Sequence, residues 1–173
     1  MQYPHPLIIV SSRTGNTLRL AHALQKAYPG CTLCTPESAP EDLASFNPVL
    51  LGFWCDRGMA PEPIKALAPR LKHKHIFAFA TMGGEPDTPK AQEWMKKTSD
   101  TLVAAGESNT LVGTFLAMGK VDPEVFRRMT EQIGYLSPER EARYRKAQHH
   151  PDEADCQALV AATRSLLMPD EES

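Results

Sequence analysis

Five short apolar runs recur along the chain, mostly separated by segments of helical periodicity, and this alternation limits the possible folds more than any other feature. Leu7–Val10, Cys31–Cys34, Val49–Trp54, His75–Thr81 and Thr110–Ala117 have strand length and are mostly rich in β-branched or aromatic residues. Their apolar character is nearly continuous rather than alternating, as in strands covered on both faces. Between them, Leu20, Ala21, Leu24, Ala27 and Tyr28 share one helical stripe that Pro29-Gly30 stops. Ile64, Leu67, Ala68 and Leu71 follow i, i+3, i+4, i+7 spacing, weakened by Pro69. Thr88-Pro89 reads as an N-cap followed by proline at the first helical position, with Ala91, Trp94, Met95, Leu102 and Val103 turned inward behind it. The stretch 36–46 gives at most a short helix around Leu43 and Phe46. The expected fold is α/β, a parallel sheet with helices on both faces.

Beyond Gly119 the alternation ends. Asp122-Pro123 and Ser137-Pro138 each look like helix starts, and the segment 138–148 is dense in charge, as a solvated face is. Pro151 is expected to open a last helix that buries Cys156, Leu159, Val160 and Leu167. Residues 120–150 are therefore read as an insertion before that helix, within a single domain spanning 1–173. A formal charge of -2 and a pI near 6.3 give no basic footprint for nucleic acid. Leu7–Val10 is too short for a membrane span or a signal h-region, and residues 1–6 lack a Lys/Arg cluster. A cytoplasmic location is expected, with Cys31, Cys34, Cys55 and Cys156 as thiols.

The chemistry concentrates in one turn. Ser12-Arg13-Thr14-Gly15-Asn16-Thr17 lies between the first strand and the first helix. The free N–H groups of a first helical turn and the helix dipole favour an anion there. Ser12, Thr14, Asn16 and Thr17 add neutral donors, and Gly15 lets the backbone close round a phosphate. The loop has no lysine, unlike a triphosphate-binding loop, and the chain has no G-x-G-x-x-G. The loop suits one dianionic monophosphate. A turn of this composition can also simply cap a helix, although four hydroxyl or amide side chains in six residues exceed that need. Arg13 is expected to face solvent.

The pattern S/T-x-T-G-N-T after a first strand resembles the phosphate loop of flavodoxins, and residues 12–17 fit it at every position. The order of elements is similar to that family over roughly 5–119 and the last helix. The resemblance implies a three-layer sandwich with a five-stranded parallel sheet in the order 2-1-3-4-5. It also implies FMN at the carboxyl ends of strands 1, 3 and 4. Two further loops, 54–59 and 82–86, would hold the isoalloxazine ring. Trp54 stands where a ring-stacking aromatic is often found, or else ends its strand and packs below the loop. Cys55, Asp56 and Gly58 share that loop. There the Gly58 peptide could turn its carbonyl towards the reduced flavin N5, or serve an ordinary turn. Met82, Gly83 and Gly84, with Glu85, could offer backbone donors to the pyrimidine edge, or form a plain turn.

No side chain need act as an acid, base or nucleophile in such a protein. The implied function is electron transfer to a redox partner protein, either a reductase or a flavin or iron–sulfur enzyme. Two alternatives stay open: an FMN-dependent NAD(P)H:quinone-type oxidoreductase whose pocket the insertion helps form, and a flavin-free binding module. Monomer and dimer are both compatible. The chain is less acidic than flavodoxin carriers, and Arg57 near the ring implies a less negative potential for the second electron. The stretches 52–58 and 150–155 resemble a bacterial subgroup of flavodoxin-like proteins, some encoded beside tetrapyrrole reductases.

Other candidates are weaker. Cys31 and Cys34 have redox spacing, but no second pair accompanies them and a buried structural role is expected. Packing is also the simpler role for Cys55. Capping or exposure suits His149-His150 better than metal binding, and His73 and His75 flank a basic strand entrance.

Overall fold

The computed structural model describes residues 5–168. All five apolar runs form strands: β1 (Leu7–Val10), β2 (Thr32–Cys34), β3 (Val49–Trp54), β4 (His75–Met82) and β5 (Thr110–Met118). They make one sheet in the order β2-β1-β3-β4-β5, every neighbouring pair parallel. Six helices join or follow them: α1 (Asn16–Ala27), α2 (Glu62–Leu67), α3 (Pro89–Ala105), α4 (Pro123–Ile133), α5 (Pro138–Ala147) and α6 (Glu153–Leu167). The result is the parallel α/β sheet expected from the alternation, in the strand order that the family resemblance implies.

The two-residue period of a strand sends alternate side chains to opposite faces, and each face has its own core. Ile8 and Val10 pack with Leu20 and Leu24 of α1 and Leu159 of α6. Leu7 and Ile9 point the other way, to Ile64 of α2 and Met95 and Leu102 of α3. Leu7, Ile8 and Ile9 are all fully buried, so each contributes about 1.5–3 kcal/mol of hydrophobic stabilisation. This explains why β1 reads as an unbroken apolar run.

Three local expectations are corrected. Residues 36–46 form turns rather than a helix, starting with a Thr35–Ser38 turn whose hydroxyls bond reciprocally to the backbone (Thr35 N–H to Ser38 Oγ 2.9 Å, Ser38 N–H to Thr35 Oγ1 3.2 Å). Pro36 and Pro40 supply no N–H, so a helix there would be poorly bonded. For the same reason α2 stops at Leu67 and passes into a 3-10 turn, Ala68–Arg70, at Pro69. Pro151 does not open the last helix. It follows a cis peptide bond, Asp152 is the N-cap and α6 starts at Glu153. The Asp152 and Asp155 carboxylates bond each other's backbone N–H, a capping box.

The insertion folds as α4 and α5, joined face to face by Phe126 and Tyr144, whose rings stack 3.9 Å apart. No residue of α4 is fully buried, and Met129, Ile133, Tyr135 and Leu136 are exposed. Among the described residues no helix is long and apolar enough to cross a membrane.

Candidate functional site

In a parallel sheet every strand delivers its carboxyl end to the same edge, and the loops there enclose a cleft. The loop after β1 forms one wall, with Ser12, Arg13, Thr14, Asn16 and Thr17. Trp54 and Cys55 line it from β3, and Thr81, Met82 and Gly83 from β4. Gly119, Lys120, Val121 and Asp122 close the far side with Val125 of α4. Of the residues expected at a cofactor site, Gly15, Asp56, Gly58 and Gly84 stand outside the lining.

The loop after β1 is built around Gly15. Its φ of 92° lies in the left-handed region that glycine adopts without strain, and its N–H donates to Ser12 Oγ at 3.1 Å. Gly15 is the N-cap position of α1, and no side chain caps that helix. The contrast with α3, α4, α5 and α6 is informative. Thr88, Asp122, Ser137 and Asp152 each accept a first-turn N–H there. The hydroxyl-rich turn is therefore not a cap, and the N-terminus of α1 opens into the cleft with its dipole unanswered.

Two of the loop's polar side chains are already engaged in holding the walls together. Thr17, fully buried, shares a 2.9 Å hydrogen bond with the Thr81 hydroxyl of β4. Asn16 donates through Nδ2 to the Lys120 carbonyl at 2.9 Å. Ser12 and Thr14 are the hydroxyls left facing the cleft. Arg13 is exposed as expected, but its guanidinium lies over the Trp54 ring, 5.8 Å from the centroid. Trp54 is half-buried and lines the cleft.

The loop after β3 is a tight hairpin. Asp56 and Met59 exchange backbone hydrogen bonds at 2.8 and 2.9 Å, and Arg57 and Gly58 between them have φ of 51° and 77°. Two successive positive φ angles define a type I′ turn, which explains the glycine. The Gly58 carbonyl accepts from the Trp94 indole N–H of α3 at 2.9 Å. Arg57 sits at the exposed tip of this turn and is not part of the cleft lining. The Cys55 thiol beside the cleft is pushed up by burial, against a lowering backbone hydrogen bond from Gly58, so it stays protonated at neutral pH.

The loop after β4 is gripped by the insertion. Gly119 N–H donates to the Met82 carbonyl at 2.8 Å, and a Cβ on Gly83 would fall 2.6 Å from Val121 Cγ2. Lys146 of α5 bonds both Glu85 carboxylate oxygens at 2.9 and 3.0 Å. Thr81 and residues 119–125 were not among the expected site residues. Gly119, just past the fifth apolar run, was the available signal.

The donor set fits a flavin monophosphate: uncapped helix N–H groups and the O–H donors of Ser12 and Thr14 at one end, and a half-buried indole at the other. Away from the cleft, His150 Nδ1 lies 2.7 Å from Asp155 Oδ2, close to Asp152. Asp155 and Asp152 are engaged in capping α6, in keeping with a structural role. Cys31 is buried, Cys34 half-buried, and both thiols are pushed up by burial.

Comparison with known proteins agrees with this geometry. The family described as flavodoxin domain matches residues 7–164. The flavodoxin-like domain-containing protein BilS of Clostridioides difficile is 24% identical over 172 residues, covering 94% of this chain and 96% of that protein. Oxidised flavodoxin 2 from Bacillus cereus superposes with a TM-score of 0.56 at 15% identity, over 91% of this chain and 94% of that one. A flavoprotein from Lactobacillus acidophilus, solved in complex with FMN, gives 0.53 at 15% identity, over 65% and 93%.

Proposed function

The chain belongs to the flavodoxin domain family, and from that premise we propose that it binds FMN non-covalently in the cleft and carries electrons to a redox partner protein. The observation that carries this reading is the N-terminus of α1, which opens into the cleft with no side-chain cap behind a turn rich in hydroxyls. The flavoprotein solved with FMN adds to it, since the two chains share the fold.

Bound FMN would supply one- and two-electron redox chemistry, and the protein's part is to bind, orient and tune it. Ser12, Thr14 and the first N–H groups of α1 would receive the phosphate. Thr17 and Asn16 act one step behind, fixing the loop to β4 and to the loop after β5. Trp54 offers a flat apolar face worth about 0.5–1.5 kcal/mol beyond burial when another ring stacks on it. The Cys55 thiol, held protonated, neither attacks nor carries charge beside that ring. No general acid or base is required of the lining residues.

The test is direct. Purified protein, as isolated or after adding FMN, should show a flavin absorption spectrum that survives gel filtration. Ser12→Ala with Thr14→Ala should weaken retention by about tenfold or more, two hydrogen bonds to a charged group being worth about 1.5–3 kcal/mol each at full strength. A chain that never takes up FMN would refute the proposal. Rapid steady-state NAD(P)H oxidation with a quinone would replace the carrier role with that of an oxidoreductase.

A further inference from the structure

We propose that Lys120, on the loop between β5 and α4, is a charge-bearing ligand of the cofactor phosphate, making the site select phosphorylated flavin over riboflavin. This inference rests on the FMN reading above and adds a fourth loop to the three expected at the cofactor.

The loop that carries Lys120 is fixed to the phosphate loop at close quarters. Asn16 Nδ2 donates to the Lys120 carbonyl at 2.9 Å. Next to it, a Cβ on Gly119 would lie 2.7 Å from Asn16 Nδ2 and 3.0 Å from its Cγ, so any side chain there would displace Asn16. From the other side Lys120 N–H donates to the His150 carbonyl at 2.9 Å, and Gln148 Nε2 donates to the Val121 carbonyl at 3.0 Å. The backbone of Lys120 is thus held at both its N–H and its C=O, while its side chain is exposed at the rim of the cleft.

The charge of Lys120 is also uncommitted. Among the described residues no carboxylate forms an ion pair with it, whereas Lys146 of the same insertion is paired with Glu85. The neighbouring Asp122 carboxylate accepts the Glu124 N–H at 2.8 Å and so serves as the cap of α4. The cleft's other cation, Arg13, lies over Trp54, towards the ring end. Lys120 is therefore the lining cation with a free charge, and its backbone is bonded to Asn16, at the end where the phosphate would sit. A lysine acts on phosphate as a point charge and needs no bidentate geometry. An exposed ammonium a few ångströms from a dianion changes affinity on the order of tenfold at low ionic strength, and less as salt screens it.

The experiment compares FMN and riboflavin binding by quenching of flavin fluorescence, at low and high salt. The proteins are the parent chain, Lys120→Gln, Lys120→Arg and, as a remote charge control, Lys96→Gln. Lys120→Gln should lose about tenfold in FMN affinity with riboflavin unchanged, and its FMN affinity should depend less on salt. Lys120→Arg should retain the selectivity, and Lys96→Gln should match the parent. Far-ultraviolet dichroism checks that each variant is folded. An unchanged ratio of FMN to riboflavin affinity in Lys120→Gln overturns the inference, as does an equal loss for both ligands, which would reveal a role in loop shape. If the parent binds neither flavin, the cofactor reading itself fails.

Discussion

Replacing Trp94 with phenylalanine removes the indole N–H that holds the Gly58 carbonyl while keeping an aromatic ring beside Phe53, which it meets edge-on with centroids 6.3 Å apart. That carbonyl is the group expected to turn towards flavin N5 on reduction, and in this structure it is latched to α3. Any such turn must break the 2.9 Å Trp94–Gly58 hydrogen bond, whose net worth is about 0.5–1.5 kcal/mol. If the peptide does turn, only the oxidised arrangement keeps the bond, and the latch opposes uptake of the first electron. Without it the first-electron potential should rise. At about 59 mV per 1.4 kcal/mol for one electron, the rise is about 20–60 mV. Spectroelectrochemical titration of the flavin-loaded Trp94→Phe variant beside the parent measures it, with urea unfolding of both as the stability reference. A variant that loses stability yet keeps its first-electron potential would show that the Gly58 carbonyl never leaves Trp94, and the glycine would then serve only the type I′ turn.

Three further outcomes are expected. Gly119→Ala should displace Asn16, because its Cβ would meet that side chain at 2.7 Å, and should weaken FMN binding severalfold; isothermal titration checks it, and parent-like affinity would deny the coupling. Arg13→Gln should lower the second-electron potential by tens of millivolts, since the cation over Trp54 favours added negative charge on the flavin, whereas Arg57→Gln at the exposed turn tip should change it less. The Cys31 thiol is pushed up to about 11 by burial, against 9.0 in the unfolded chain. Its stabilising effect is therefore complete below pH 9 and lost as pH rises through 11, by about 2–3 kcal/mol at 1.36 kcal/mol per unit. Urea midpoints should fall across that window in the parent and much less in Cys31→Ala.

The strands were the most legible part of the sequence. Leu7–Val10 and Val49–Trp54 have the bounds their apolar runs imply, because both faces of these strands are covered and Ser, Pro or Gly clusters flank them. Residues 12–17 were legible because their requirements are local: a left-handed glycine, hydroxyls and a helix start. The residues that sequence reasoning missed depend on partners far along the chain. Thr81 matters through Thr17, 64 residues away, and Lys120 through Asn16, 104 away. Nothing in the spacing of those residues marks the contacts. Pro151 misled for another reason. The three other Pro-led helices place a capping residue directly before the proline, whereas His150 cannot cap and Asp152, after it, does.

The same residue types do opposite work in this chain, and the backbone of one residue separates the two uses. Thr88, Asp122 and Ser137 cap their helices from extended or nearly extended backbone, with ψ of 148°, 124° and 151°, which aims the side-chain oxygen back at the first turn. Gly15 occupies that position in α1 with φ 92° and ψ -5°, and it has no side chain to aim. The hydroxyls before it are therefore released from capping. Ser12 instead closes the loop on the Gly15 N–H, and the first turn keeps its donors for whatever enters the cleft. A capping residue placed at position 15 would satisfy α1 internally and leave less to offer an anion. The glycine thus trades helix stability for open donors at the cleft, and that trade is legible in the sequence as a glycine standing where serine, threonine or aspartate begins α3 to α6.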